Sequence, residues 1–77
     1  MSDIADMRAD DLVSRLRRLA KARGWTIAER QGRGSHLVVT INGRQTAIPM
    51  HRGDMPPGTY RGIAKALGLK PDEIENI

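Results

Sequence analysis

Two side chains in this sequence can exchange a proton near neutral pH, His36 and His51, and each stands where an apolar run meets a turn. His36 closes the triplet Gly34-Ser35-His36. His51 lies in Pro49-Met50-His51-Arg52-Gly53. A glycine-rich turn lets a phosphate come close to backbone N–H groups. Arg33, Arg52 and Arg61 are cations near these runs that can stabilise charge developing on such a group. A single histidine beside a strand is more often a surface or hydrogen-bonded structural residue, and for either one alone that reading stays open. Two histidines without a carboxylate or thiolate pattern make an incomplete metal site, so neither a metal nor a cofactor is expected.

Charge segregation points to the partner such residues would act on. Of the 13 Lys and Arg only Arg8 falls outside residues 12–71, a stretch holding just two of the nine acids, Glu29 and Asp54. Positive potential concentrated in this way usually serves a polyphosphate, although an accidental bias on a solvated surface reads the same in composition. The chain has no cysteine, so disulfides and thiolate ligation are excluded. It also has no apolar run of membrane-spanning length, and its acidic, mixed start is unlike a secretion signal. A cytoplasmic protein without membrane contact is expected.

Seventy-seven residues form one domain, 1–77, with a thin aliphatic core, because the chain has no Phe and one each of Trp and Tyr. Leu12, Leu16, Leu19 and Ala20 fall on one face of a helix over residues 12–23, with Arg15, Arg17, Arg18 and Lys21 opposite. Asp6, Asp10 or Asp11 can cap its start, and Gly24 stops it. Trp25 to Arg30 predicts a first strand, Gln31 to Gly34 a flexible basic connection, and Leu37 to Ile41 a second strand. Asn42-Gly43 is a two-residue hairpin signal, and Arg44 to Ile48, closed by Pro49, is the partner strand. That hairpin sets residues near 36 opposite residues near 49 and brings both histidines to one end of the sheet. Pro56-Pro57-Gly58-Thr59 starts a second helix, with Thr59 or a neighbour as cap, Ile63, Ala64 and Leu67 buried, and Gly68 as stop. Pro71 opens a last short helix through Ile77, whose Ile74 and Ile77 fold back on the body. The order is α+β: helix, three antiparallel strands, helix, with both helices on one face.

Three separated motifs then coincide with a family. Gly34-Ser35-His36 before an apolar strand, Ile48-Pro49-x-His51-Arg52-Gly53, and Pro57-Gly58-Thr59-x-Arg61-x-Ile63 with Leu67-Gly68 together resemble the HicA toxins from about residue 12 onward. The resemblance implies a double-stranded-RNA-binding-like fold used for messenger-RNA cleavage, with His36 as the catalytic residue. It also implies a HicB-like antitoxin that covers the site. The sequence departs from the pattern in an acidic N-terminal extension, residues 1–10, and in a slightly longer loop, Gln31 to Gly34, which bears on where Arg33 is placed.

RNA carries its own nucleophile, the 2′-hydroxyl, so an endoribonuclease can work without metal if a base takes that proton and cations stabilise the phosphorane. His36 is the expected proton-transfer group. Arg33, Gly34, Ser35, His51, Arg52, Arg61 and Lys65 are the expected RNA-binding residues, with His51 also available as an acid. The rival is a non-cleaving RNA-binding module, since the same fold reads A-form RNA by shape and phosphate contact. A DNA-binding domain lacks support without a helix-turn-helix pairing.

Overall fold

The computed structural model describes residues 7–51 and 53–77, so the expectations for Asp6 and Arg52 fall outside the described residues. Its elements run α1 (Ala9–Arg23), β1 (Ile27–Gln31), β2 (His36–Ile41), β3 (Arg44–Pro49), α2 (Pro57–Ala66) and α3 (Pro71–Glu75). The strands form one antiparallel sheet in the order β1-β2-β3. The Asn42-Gly43 turn has both residues at positive φ, 50° and 80°, as a type I′ hairpin requires. Its register pairs Ile41 with Arg44 and runs back to His36 opposite Pro49.

Alternation along the strands separates two faces of the sheet. Val39, Ile41 and Ile48 are fully buried and join Leu12, Leu16, Leu19, Ile63, Ala64 and Leu67 of the helices in one core. His36, Val38 and Thr40 point to the opposite face. Removing a leucine from such a core costs about 2–5 kcal/mol, comparable to the few kcal/mol a domain this small has in reserve, so Leu16→Ala should unfold it.

Several boundaries differ from the sequence reading for local reasons. α1 starts at Ala9, three residues early, and takes Asp10 and Asp11 into its first turn, where they oppose the dipole instead of capping. Its N-cap is Arg8, which makes no side-chain cap bond. Part of the acidic extension is therefore structural: Met7 and Ala9 are buried, the backbone of Arg8 pairs with that of Asp54 in an isolated antiparallel bridge, and Met55 N–H donates to the Met7 carbonyl at 2.8 Å. Thr59 does not cap α2. Pro56 holds that position and Pro57 pre-sets the first turn. β1 begins at Ile27, leaving Trp25 outside the strand, partly buried, with the Arg23 guanidinium 5.1 Å from its ring centre.

The C-terminal helix is tied down by polar contacts as well as by Ile74. Tyr60, fully buried, donates to the Pro71 carbonyl at 2.9 Å, and burial, with Glu75 adding to it, pushes its phenol up to about 12. Beyond α2, Gly68 takes φ +72° and packs so tightly on Arg44 that a Cβ would lie 2.7 Å from the Arg44 Nε. The far end of α2 therefore stands over the start of β3, and its N-terminus toward the end that carries the histidines.

Candidate active site

The turn between β1 and β2 is held from three sides. Gly32 N–H donates to the His36 carbonyl at 2.9 Å, and His36 N–H donates to the Arg33 carbonyl at 3.1 Å. The Gln31 side-chain amide donates to the Gly34 carbonyl at 2.9 Å. Gly34 sits at φ +57°, which a side chain rarely adopts. Gln31, read from sequence as part of a flexible connection, instead ends β1 and braces the turn. Gly32 is there because a Cβ would press within 3.2 Å of the His36 carbonyl and the Val38 side chain.

This turn leaves two backbone donors exposed, since the N–H groups of Gly34 and Ser35 find no acceptor among the described residues. Consecutive free N–H groups beside a left-handed residue form an anion-binding concavity. The Ser35 carbonyl accepts from Met50 N–H at 2.8 Å, so the ladder continues one step past the His36–Pro49 pair and delivers His51 to the same edge.

The two histidines meet there as the hairpin register foretold. Their ring centres are 6.3 Å apart and their planes cross at 80°. His36 Nδ1 lies 3.2 Å from the Arg33 carbonyl oxygen. A carbonyl can only accept, so Nδ1 carries the hydrogen, and in the neutral ring Nε2 carries the lone pair. His51 Nδ1 instead faces the Ser35 hydroxyl at 3.4 Å, a group able to donate or accept. Both rings are exposed to solvent.

The cations divide by position. Arg33 lies in the turn itself, exposed and without an ion-pair partner among the described residues. Arg61 sits in the first half of α2, the half that starts toward His51, whereas Lys65 is in its last turn, toward Arg44. The structure thus brings Arg33, Gly34, Ser35, His36 and His51 together and sets Lys65 apart. Arg30 was missed by sequence reasoning. It pairs with Val38 on the face that carries His36, one diagonal step away, and only the β1–β2 register could have placed it there.

Beside His51 a groove of about 200 Å³ is lined by Arg8, Ala9, Asp10, Met50 and His51. A smaller recess of about 40 Å³ joins His51 to Ala9, Pro49 and the loop from Gly53 to Pro56. No group of three or more His, Cys, Asp or Glu suited to a metal ion occurs among the described residues. No helix among them is long and apolar enough to cross a membrane.

Comparison with known proteins converges on one description. A family model described as the HicA toxin of bacterial toxin-antitoxin matches residues 13–69, which include all three strands, α2 and both histidines. A protein of Pseudomonas fluorescens (strain Pf0-1) named "Probable mRNA interferase HicA" is 41% identical over 58 residues, covering 74% of this chain and 93% of that protein.

Proposed function

The chain belongs to the HicA toxin family, and from that premise we propose that its activity, the cleavage of messenger RNA as the toxin of a toxin–antitoxin pair, is carried by His36. The observation behind this assignment is the Arg33 carbonyl on His36 Nδ1, which leaves Nε2 as the proton acceptor at a solvent-open edge. Nε2 takes the proton of a 2′-hydroxyl as its oxygen attacks the adjacent phosphorus, a reaction that needs no metal because the nucleophile belongs to the substrate. The free N–H groups of Gly34 and Ser35 hold a phosphate oxygen, and Arg33, Arg52 and Arg61 offset the charge that builds on the phosphorane. Lys65 acts farther out, on the RNA path and not at the scissile bond.

Control comes from a partner. A HicB-like antitoxin bearing acidic groups uses the same positive field for fast association, buries His36 and pairs with some of Arg33, Arg52, Arg61 and Lys65. A standard interface would cover about 800 Å² on this side, roughly a sixth of the 4931 Å² surface of the chain.

The direct test is cleavage of a defined RNA in the presence of chelator, with and without a 2′-O-methyl group at the cut site. Cutting that persists in chelator and stops at the methylated position is expected. RNA binding with no new ends would instead make the chain a non-cleaving module, and cutting at the methylated position would overturn the 2′-hydroxyl as nucleophile.

A further inference from the structure

A leaving 5′-oxygen needs a proton as much as the 2′-hydroxyl needs to lose one, and one histidine cannot serve both sides of a phosphate in a single step. We propose that His51 is the second proton-transfer group: it donates its Nε2 proton to the departing 5′-oxygen while His36 accepts from the 2′-hydroxyl. This rests on the reading of His36 given above.

Three observations carry it. Ring centres 6.3 Å apart, with planes at 80°, leave room for both rings to reach oxygens of one phosphate at hydrogen-bond distances of about 2.8 Å. The second is a partner for each ring. The carbonyl on His36 can only accept, which fixes the acceptor of the neutral ring at Nε2. The Ser35 hydroxyl, 3.4 Å from His51 Nδ1, can accept from that nitrogen in the doubly protonated ring, which holds an Nε2–H to give and is left neutral when that proton departs. Third, the groove of about 200 Å³ is lined by His51 but not by His36, so the nucleotide released on the His51 side has a place to lie against Met50, Arg8 and Asp10.

In the step, the 2′-oxygen bonds to phosphorus as its proton passes to His36 Nε2. The bond from phosphorus to the 5′-oxygen breaks as that oxygen receives the His51 proton. The products are a 2′,3′-cyclic phosphate and a 5′-hydroxyl, with His36 left cationic and His51 neutral.

The test replaces the bridging 5′-oxygen of an RNA oligonucleotide with sulfur, a leaving atom that needs no protonation. His51→Ala should cleave ordinary RNA at least about 10²-fold more slowly and recover to within about tenfold of wild type on the sulfur-bridged RNA. His36→Ala should be slow on both. His51→Asn, which keeps a polar side chain beside Ser35, is measured in parallel should the alanine variant fail to fold. A loss of the same size on both substrates would make His51 a phosphate-binding or positioning residue and overturn the proposal, as would less than a tenfold loss on ordinary RNA. Full activity of His36→Ala would instead overturn the assignment of His36, a separate result.

Discussion

The arginines of α1 and the arginine of the β1–β2 turn have the same chemistry and opposite employment. On α1, Arg15 donates to Asp11 and to the carbonyls of Ile74 and Glu75, Arg17 forks onto Glu29 of β1, Arg18 reaches the Ile77 carbonyl, and Arg23 pairs with Glu73 at 2.6 Å. These cations bind the protein to itself. Arg33 and Arg61 have no ion-pair partner among the described residues and lie toward the end that carries both histidines. An arginine already holding a carboxylate or a helix C-terminus must surrender that contact to bind a phosphate, whereas an unpaired one loses only water. Net charge therefore overstates the RNA-binding surface, and what matters is which cations the fold leaves unspent.

Substitutions can break this division, and the largest effect belongs to the histidine edge. His36→Ala should lower cleavage at least about 10²-fold while RNA affinity and unfolding free energy stay within error, as measured by single-turnover kinetics, filter binding and urea denaturation. Equal losses in affinity and rate would make His36 a binding residue. Next comes Arg15→Ala, which strips the carbonyls at the end of α3 of their donor. It should cost about 1–3 kcal/mol of stability in urea, the range for losing charged hydrogen bonds, and leave RNA affinity unchanged. If affinity fell with no change in stability, the α1 arginines would be part of the RNA surface.

Smaller effects belong to single cations at the site. Arg33→Ala or Arg61→Ala should weaken RNA binding several-fold and flatten the log–log salt slope by about one unit each, since each neutralised phosphate releases counterions. An unchanged slope would remove that residue from the phosphate path.

The sequence reached the three-stranded antiparallel sheet, the hairpin register and the meeting of His36 with His51 because short apolar runs and an Asn-Gly turn dictate them without reference to the rest of the chain. The buried faces of both helices and the inward fold of Ile74 followed from spacing in the same way. It did not reach the partners of the α1 arginines. Glu29 and Glu73 are 12 and 50 residues from the cations they bind, separations that no helical or strand spacing links. Nor did it foresee that Gln31 braces the turn, or that Arg8 and Asp10 wall a groove beside His51. Those depend on tertiary placement, which no local periodicity encodes.

The smallest effect is the most exact test of the division, because it concerns a cation on the charged face of α1, within the basic stretch of the chain. Arg17 holds Glu29 through two hydrogen bonds, at 2.6 and 2.7 Å, with its own side chain largely in water. The Arg17 hydrogen bond holds the Glu29 carboxyl below its ordinary range, and Glu29 in turn raises the already high Arg17 guanidinium. A carboxyl whose folded value is depressed stabilises the fold above its unfolded value and loses that contribution as pH falls through the folded one. The guanidinium stays charged throughout this window, so the pH dependence belongs to Glu29. Glu29→Gln should therefore lower the melting temperature slightly at neutral pH, by at most a few degrees as expected for an exposed pair. The difference from wild type should shrink both in high salt and below the ordinary carboxyl range. Arg17→Gln should reproduce that small loss and leave RNA affinity within about twofold, because the guanidinium it removes was already committed. Affinity that falls as steeply for Arg17→Gln as for Arg33→Ala would show that RNA displaces Glu29, and α1 would then belong to the binding surface after all.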